Sequence, residues 1–355
     1  MRGVAPARSI RGGGGVVSGS DRILLAHGSG GRLTQALVRE TFLPALDNPF
    51  LATLSDSAVL PKLPPGRPAL TTDAFVVDPP VFPGGDLGYL SVCGTVNDLA
   101  VAGARPLWLT FAVILEEGLS ADLLLTFVRG AARAAAEAGV QIVAGDTKVV
   151  PEGKGDRMYA VTAGLGVVPE GRDLGDRRIR PGDAVLISGS LGDHGATIMA
   201  SRHAMGGPGL RSDCAPLASL AEGLLSSGAD VRSMHDPTRG GVAVTLNEVA
   251  GRAGVSIVLD ESCLPIRPEV AAIAEILGLD PLYLASEGRL LAWVPAGDRE
   301  RALEALRSHP LGRGAARIGV VKEAREGAVP VLLRTRVGGE RPVDLLSGAD
   351  LPRIC

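Results

Sequence analysis

The stretch from Ser120 to Thr147 constrains the fold more than any other. "SADLLLTFVRGAARAAAEAG" carries apolar letters at helical spacing, with Ser120 as N-cap, Asp122 in the first turn and Gly139 as a stop. It runs straight into "VQIVAGDT", whose apolar run predicts a short buried strand. A helix feeding a buried strand calls for a sheet with helices laid on it. Strand-like and helix-like runs alternate in this way over residues 23–169. "EGRDLGDRRIRPGD" (Glu170 to Asp183) is charged and turn-rich, and a domain boundary is expected there. A second α+β unit follows: strand "AVLISGS", loop "LGDHG", helix "ATIMASRHAM", then "HDPTRGG" opening another helix. The expected division is a Gly-rich, disordered 1–21, one domain over 22–170, another over 180–342, and a mobile tail 343–355 containing Ser347, Gly348 and Pro352.

Composition narrows the function. The chain has 355 residues with 46% hydrophobic letters, enough for a sizeable core and about two domains. Its net charge of −3 and 3% aromatics offer neither a basic footprint nor stacking platforms, so no nucleic-acid partner is expected. The N-terminal letters lack an apolar signal core. No apolar run approaches the ~18 residues of a membrane span. Cys93, Cys214, Cys263 and Cys355 are scattered without a CxxC pair, so neither a zinc knuckle nor a disulfide framework is indicated. The expectation is a soluble cytoplasmic enzyme without a membrane partner.

Short acidic motifs carry the chemistry: "LSDSAV" (Asp56), "LTTDAFVVDP" (Asp73, Asp78), "GTVNDLAVAGA" (Asn97, Asp98), "VAGDTKVV" (Asp146, Lys148) and "MHDPTRGG" (Asp236). In a helix from Tyr89 to Gly103, Val92, Val96, Leu99 and Ala100 make the apolar stripe. Asp98 then points away from it, among Ser91, Gly94, Thr95 and Ala102, whose small side chains leave room around a carboxylate. Singly, an Asp is a turn former or a cap. Five gathered at loop and helix ends suit Mg²⁺ shared with nucleotide phosphates.

No standard nucleotide fingerprint is present. "HGSGGRLT" has Leu33 where a dinucleotide fingerprint needs Gly, and Lys154 is followed by Gly155 rather than completing a P-loop. The loops "SGSLGDHGAT" and "HDPTRGGVAVTL" run into helices whose N-termini could face phosphates, a weak signal on its own. Lys148 is one of four lysines and directly follows "GDT", which favours a functional role over a surface ion pair with Asp146. Glu287 in "LYLASEGRLLAWV" reads from spacing alone as a polar turn between two apolar strands.

Taken together, "AHGSGG", "LSDSAV", "TTDAFVVDP", "GTVNDLAVAGA", "AGDTKVV", "SGSLGDHGA", "HDPTRGG", "ASEG" and the terminal "PRIC" resemble the HypE family. These are the carbamoyl dehydratases of NiFe-hydrogenase maturation, within the superfamily of aminoimidazole ribonucleotide synthetase and selenophosphate synthetase. The likeness runs over residues 23–355; "GDTKVV" and the chain-ending Cys are specific to the maturation branch. It implies a two-domain α+β fold with ATP in the cleft between domains, an N-terminal domain that binds ATP and dimerises through sheets joined into a barrel, and a flexible tail ending in Cys355. "LATL" and "PALTTDAFVV" are strand-like letters that permit such a barrel.

The resemblance also implies the reaction. A carbamoyltransferase (HypF) loads a carbamoyl group onto Cys355, ATP phosphorylates its oxygen, and loss of phosphate leaves a thiocyanate. The cyanide passes to iron on a HypC–HypD complex. By position, Asp56, Asp73, Asp98, Asp146 and Asp236 are implied in Mg²⁺–ATP binding, with Asn97 a further contributor. Lys148 is a candidate to stabilise the carbamoyl oxygen as it becomes anionic, and Glu287 a candidate base for the nitrogen proton. The Cys355 thiol need not be strongly acidified, since the α-carboxylate opposes the thiolate while Arg353 compensates. Cys93, Cys214 and Cys263 sit among apolar letters and read as inert packing. Two alternatives stay open at this point: a superfamily cousin phosphorylating a free small molecule, and a non-catalytic nucleotide-binding scaffold.

Overall fold

The computed structural model describes residues 21–207, 209–324, 327, 329–345 and 354–355. The Gly-rich segment 1–20 and the stretch 346–353, with Ser347, Gly348, Pro352 and Arg353, lie outside the described residues.

Two short helices, α1 (Arg32–Leu37) and α2 (Leu43–Leu46), precede β1 (Arg67–Phe75). A tight hairpin of β2 (Val81–Phe82) and β3 (Gly85–Asp86) opens α3 (Leu87–Val101). Then come β4 (Arg105–Glu116), α4 (Ala121–Ala138), β5 (Gln141–Val150) and β6 (Met158–Val168). The four longer strands form one sheet in the order β1-β6-β4-β5. Only β4 and β5 run parallel, because α4 carries the chain back between them. Gly139 ends α4 in the left-handed conformation at φ 69°, while Ser120 stands at the N-cap without a side-chain bond.

Two local expectations need correction. "VQIVAGDT" begins a ten-residue strand buried only at Ile142 and Val143, because β5 is an edge strand that runs out beyond its helical cover. "LATL" is not a strand: Leu51–Thr53 forms a 3₁₀ turn. The Asn48 side chain accepts from the Phe50 and Leu51 amides, and Leu54 closes the turn at φ 49°.

The second half builds a seven-stranded mixed sheet. Its elements are β7 (Ala184–Ile187), α5 (Asp193–Arg202), α6 (Ala218–Leu225), β8 (Ser233–His235), α7 (Gly241–Ala253), β9 (Val255–Asp260), α8 (Pro268–Leu277), β10 (Leu291–Val294), α9 (Arg299–Ser308), β11 (Ala316–Glu323), β12 (Val331–Arg334) and β13 (Glu340–Pro342). The order is β13-β12-β9-β11-β7-β10-β8, with Trp293 of β10 fully buried.

Helix α3 joins the two halves. Every one of its residues is buried except Asp98. Such a helix needs small residues where neighbours press close. A Cβ on Gly88 would stand 1.9 Å from the Phe127 carbonyl oxygen of α4, and one on Gly94 would stand 2.7 Å from the Phe75 ring of β1. At the far end, Ala100 and Val101 share an apolar cluster with Leu217, Leu220 and Ala292 of the second half.

This packing predicts that Gly88→Ala destabilises the protein by about 3 kcal/mol, since α3 must move off α4. Gly297→Ala, where nothing lies within 4 Å, is the near-neutral control. Urea unfolding midpoints check both.

Candidate active site

Each half contributes to one cavity. On β1, residues two apart share a face, so Thr71, Asp73 and Phe75 all turn toward α3. Thr71 Oγ1 donates to Asp98 Oδ2 at 2.8 Å, and Thr95 Oγ1 donates to Asp73 Oδ2 at 3.2 Å. Across the cleft, the loop between β8 and α7 supplies Asp236, Thr238 and Arg239, and the loop before β10 supplies Glu287. Cys355 closes the remaining side. The cavity left between them has a volume of about 40 Å³. That admits one or two waters, or a substituent of a few atoms on the thiol, and no nucleotide base.

The electrostatics are those of carboxyls crowded without enough counter-charge. Burial pushes the Asp73 carboxyl up and Asp98 adds to this, against the Thr95 bond and the Arg239 charge. Asp98 is itself raised by burial, against Thr71, Arg239 and His235. Asp236 is pushed up to about 7 by burial, then by Asp98 and Asp73. Glu287, 2% exposed, is held well above the carboxylate range by burial, then by Asp236 and Asp213. Its Oε1 has no partner among the described residues. The Cys355 thiol shares the cavity with the Glu287 carboxyl and is raised by burial first and then by that carboxyl. Docked here, Cys355 is a thiol and not a thiolate. Arg353, invoked above as its counter-charge, lies outside the described residues; Arg239 is the cation that faces it.

The chain end is seated by its neighbour. Ile354 is 3% exposed, forms an antiparallel bridge with Val77, and packs into the first apolar core. Its carbonyl oxygen lies 2.5 Å from Nε2 of fully buried His194, the His of "LGDHG". Burial depresses this imidazole to about 4, so it is neutral.

The structure divides the anticipated site residues. Asp73, Asp98, Asp236, Glu287 and Cys355 converge. Asn97 does not line the cavity: its Nδ2 donates to the Ala215 and Glu287 carbonyls at 3.1 and 3.2 Å, and its Oδ1 accepts from the Leu217 amide at 2.7 Å. It braces the loop that carries Glu287. Asp56 and Asp146 border a second cavity of about 270 Å³ beside the edge strand β5, lined mainly by apolar groups such as Val38, Phe42 and Ile142. Lys148 pairs with Asp146 at 3.5 Å, both side chains about two-thirds exposed. Glu287 is not in the polar turn between two strands that its spacing suggested: a 3₁₀ turn, Pro281–Tyr283, precedes it, and the loop is buried because Asp213 and Asn97 tie down its backbone. Arg239 and His194 were overlooked, although both stand in quoted motifs. Cys93 and Cys214 are buried free thiols, consistent with packing; Cys263 is partly exposed.

No set of three or more His, Cys, Asp or Glu among the described residues forms a closed metal site. The donors at the cavity are nonetheless hard carboxylate oxygens repelling one another, which suits a divalent cation whose remaining ligands are phosphate oxygens.

Comparison with known proteins agrees with this layout. Residues 54–168 match the family "AIR synthase related protein, N-terminal domain", and residues 180–331 match "AIR synthase related protein, C-terminal domain". Fold and site thus define an AIR synthase related protein. Carbamoyl dehydratase HypE of Rhodobacter capsulatus is 48% identical over 339 residues, spanning 94% of this chain and 98% of its own. A crystal structure of the hydrogenase maturation protein HypE in complex with ATP matches with TM-score 0.89 at 47% identity, covering 94% of this chain and 99% of that one. A HypE–HypF complex matches with TM-score 0.75 at 44% identity, covering 87% of this chain and 99% of that one. The chain belongs to the carbamoyl dehydratase HypE family. No helix among the described residues is long and apolar enough to cross a membrane.

Glu287 gives a test with a definite sign. Above about 4.5, its ordinary value, the unfolded chain releases this proton while the folded chain retains it. The group therefore costs nothing at low pH and destabilises as pH rises through that interval. Glu287→Gln in the presence of a chelator is expected to gain stability over the parent at pH 8 and little at pH 4. Unfolding midpoints at the two pH values check this.

Proposed function

We propose that this protein dehydrates a carbamoyl group carried on Cys355, at the expense of ATP, and so supplies cyanide for the iron of NiFe-hydrogenase. The observation that carries the reading is the chain-terminal thiol set beside buried Glu287, in one cavity bordered by Asp73, Asp98 and Asp236. An unmodified thiol there has no evident use; a thiol bearing a three-atom carbamoyl group fills the space.

The chemistry balances as follows. The carbamoyl oxygen takes the terminal phosphoryl group of ATP while its nitrogen gives up one proton. Phosphate then leaves with the second nitrogen proton, and the S–C≡N unit remains. An amide-like oxygen is a poor leaving group, and esterification with phosphate makes the elimination easy. Glu287 lies against the sulfur and is placed to take a nitrogen proton; once ionised, a carboxylate this basic is a strong acceptor. Arg239 stands on the neighbouring loop, which the Ser286 amide ties to the Pro237 carbonyl at 2.9 Å, and meets the charge that grows on the carbamoyl oxygen. Mg²⁺ held with the phosphates by Asp73, Asp98 and Asp236 would neutralise charge during phosphoryl transfer.

Asp56, Asp146 and Lys148 do not reach this cavity within one chain. The reading retains them as ATP and substrate contacts brought by a second copy, in a homodimer formed through the four-stranded sheets. The exposure of Lys148 and its place on an edge strand support this. HypF as carbamoyl donor, HypC–HypD as acceptor and a cytoplasmic setting complete the reading.

Incubation with carbamoyl phosphate, HypF and ATP should shift the intact mass by one cyano group, mapped to Cys355. Asp98→Asn should abolish the shift by at least about 10²-fold in rate, as loss of a group that stabilises transferring charge does. Unchanged ATP-dependent chemistry on a free small molecule after removal of Cys355 would favour the cousin reading instead. Mixing Lys148→Ala with Cys355→Ala, each inactive alone, should restore activity when dimers exchange. No restoration on proven exchange would remove Lys148 from the partner's site.

A further inference from the structure

We infer that His194 is the positioning residue that seats the chain end, holding the Ile354 carbonyl so that the next thiol lies in the acidic cavity. The hydrogen bonds fix its tautomer. The Ile354 carbonyl oxygen can only accept, so Nε2 carries the proton and donates. Nδ1 must then accept from the Ser212 hydroxyl, 2.8 Å away, and Ser212 Oγ in turn accepts from the Cys214 amide at 3.1 Å. Each group in this chain of bonds has one role, and reversing any one breaks another. Phe82 stands edge-on to the imidazole with ring centres 5.4 Å apart, which fixes the ring plane.

When the chain end leaves, the Nε2–H gives up this bond for one to water, and the net worth of a protein hydrogen bond is lost. The docked state is favoured by that difference. His194 touches neither the cavity nor the thiol, so it acts through backbone placement alone. The inference about docking stands on geometry; its consequence for turnover rests on the dehydratase reading above.

The test measures thiol exposure first. The wild-type protein and the variants His194→Phe, His194→Gln and Ser212→Ala are pulsed with iodoacetamide, and the C-terminal peptide is quantified by mass. His194→Phe leaves the Ile354 carbonyl without a donor. Ser212→Ala removes the partner of Nδ1 and loosens the ring, while its Nε2–H still meets the carbonyl. His194→Phe should alkylate Cys355 about 10-fold faster, the factor that loss of one such bond gives. Ser212→Ala and His194→Gln, which each keep an N–H in reach, should fall between His194→Phe and wild type. In the carbamoyl phosphate, HypF and ATP assay, His194→Phe should lower kcat with the KM for ATP unchanged. A wild-type alkylation rate in folded His194→Phe would overturn the inference. Faster alkylation in the variants, with no cyano adduct even in wild type, would uphold the latch and defeat the dehydratase reading.

Discussion

Helix α3 has no side to spare for water, and the site exists because of that constraint. It lies under the four-stranded sheet, against α4 and against the second half at once, and Asp98 is its only residue that is not buried. A carboxylate on such a helix cannot swing away, because every neighbouring turn is packed. Gly88 and Gly94 allow the approach of α4 and of the Phe75 ring. Thr71 and Thr95 then link α3 to β1 and line up Asp98 with Asp73. One residue before Asp98, Asn97 reaches the other way and fixes the loop that carries Glu287. Two consecutive side chains of one helix thus set both walls of the cleft.

The cavity so formed is electrostatically unfinished. Asp73, Asp98, Asp236 and Glu287 are all raised, and in each case burial is the largest cause. A protein optimised for stability alone would not collect them. On the proposed reading their crowding has a use, since a cation and phosphates would share the charge and one carboxyl would be basic enough to take a proton from nitrogen. The terminal thiol enters among these raised carboxyls, where burial and Glu287 keep its proton on. On the proposed dehydratase reading, nucleophilic loading of that sulfur therefore belongs outside the cleft and dehydration inside it.

What was legible in the sequence followed from periodicity. The helical spacing around Asp98 put it off the apolar stripe, and it stands there. "PALTTDAFVV" reads as strand-like letters, and Asp73 lies within that strand rather than at the loop end expected of it. The rest depended on contacts distant in sequence. Glu287 looked like a turn because its burial comes from Asn97 and Asp213, 190 and 74 residues away. "GDTKVV" drew Asp146 and Lys148 toward the main site, yet an edge strand carries them to another surface. His194 was hidden because its partner is a backbone carbonyl 160 residues on, which no letter pattern encodes.

The central claim is that Cys355 enters the carboxylate cavity. The most direct measurement replaces Thr238, which lines the same cavity, with cysteine and follows disulfide formation under mild oxidation by peptide mapping. The account predicts a Cys355 disulfide with the introduced thiol, formed at a rate independent of protein concentration. Formation only between separate molecules, or none while Cys355 reacts freely with added disulfide, would contradict it.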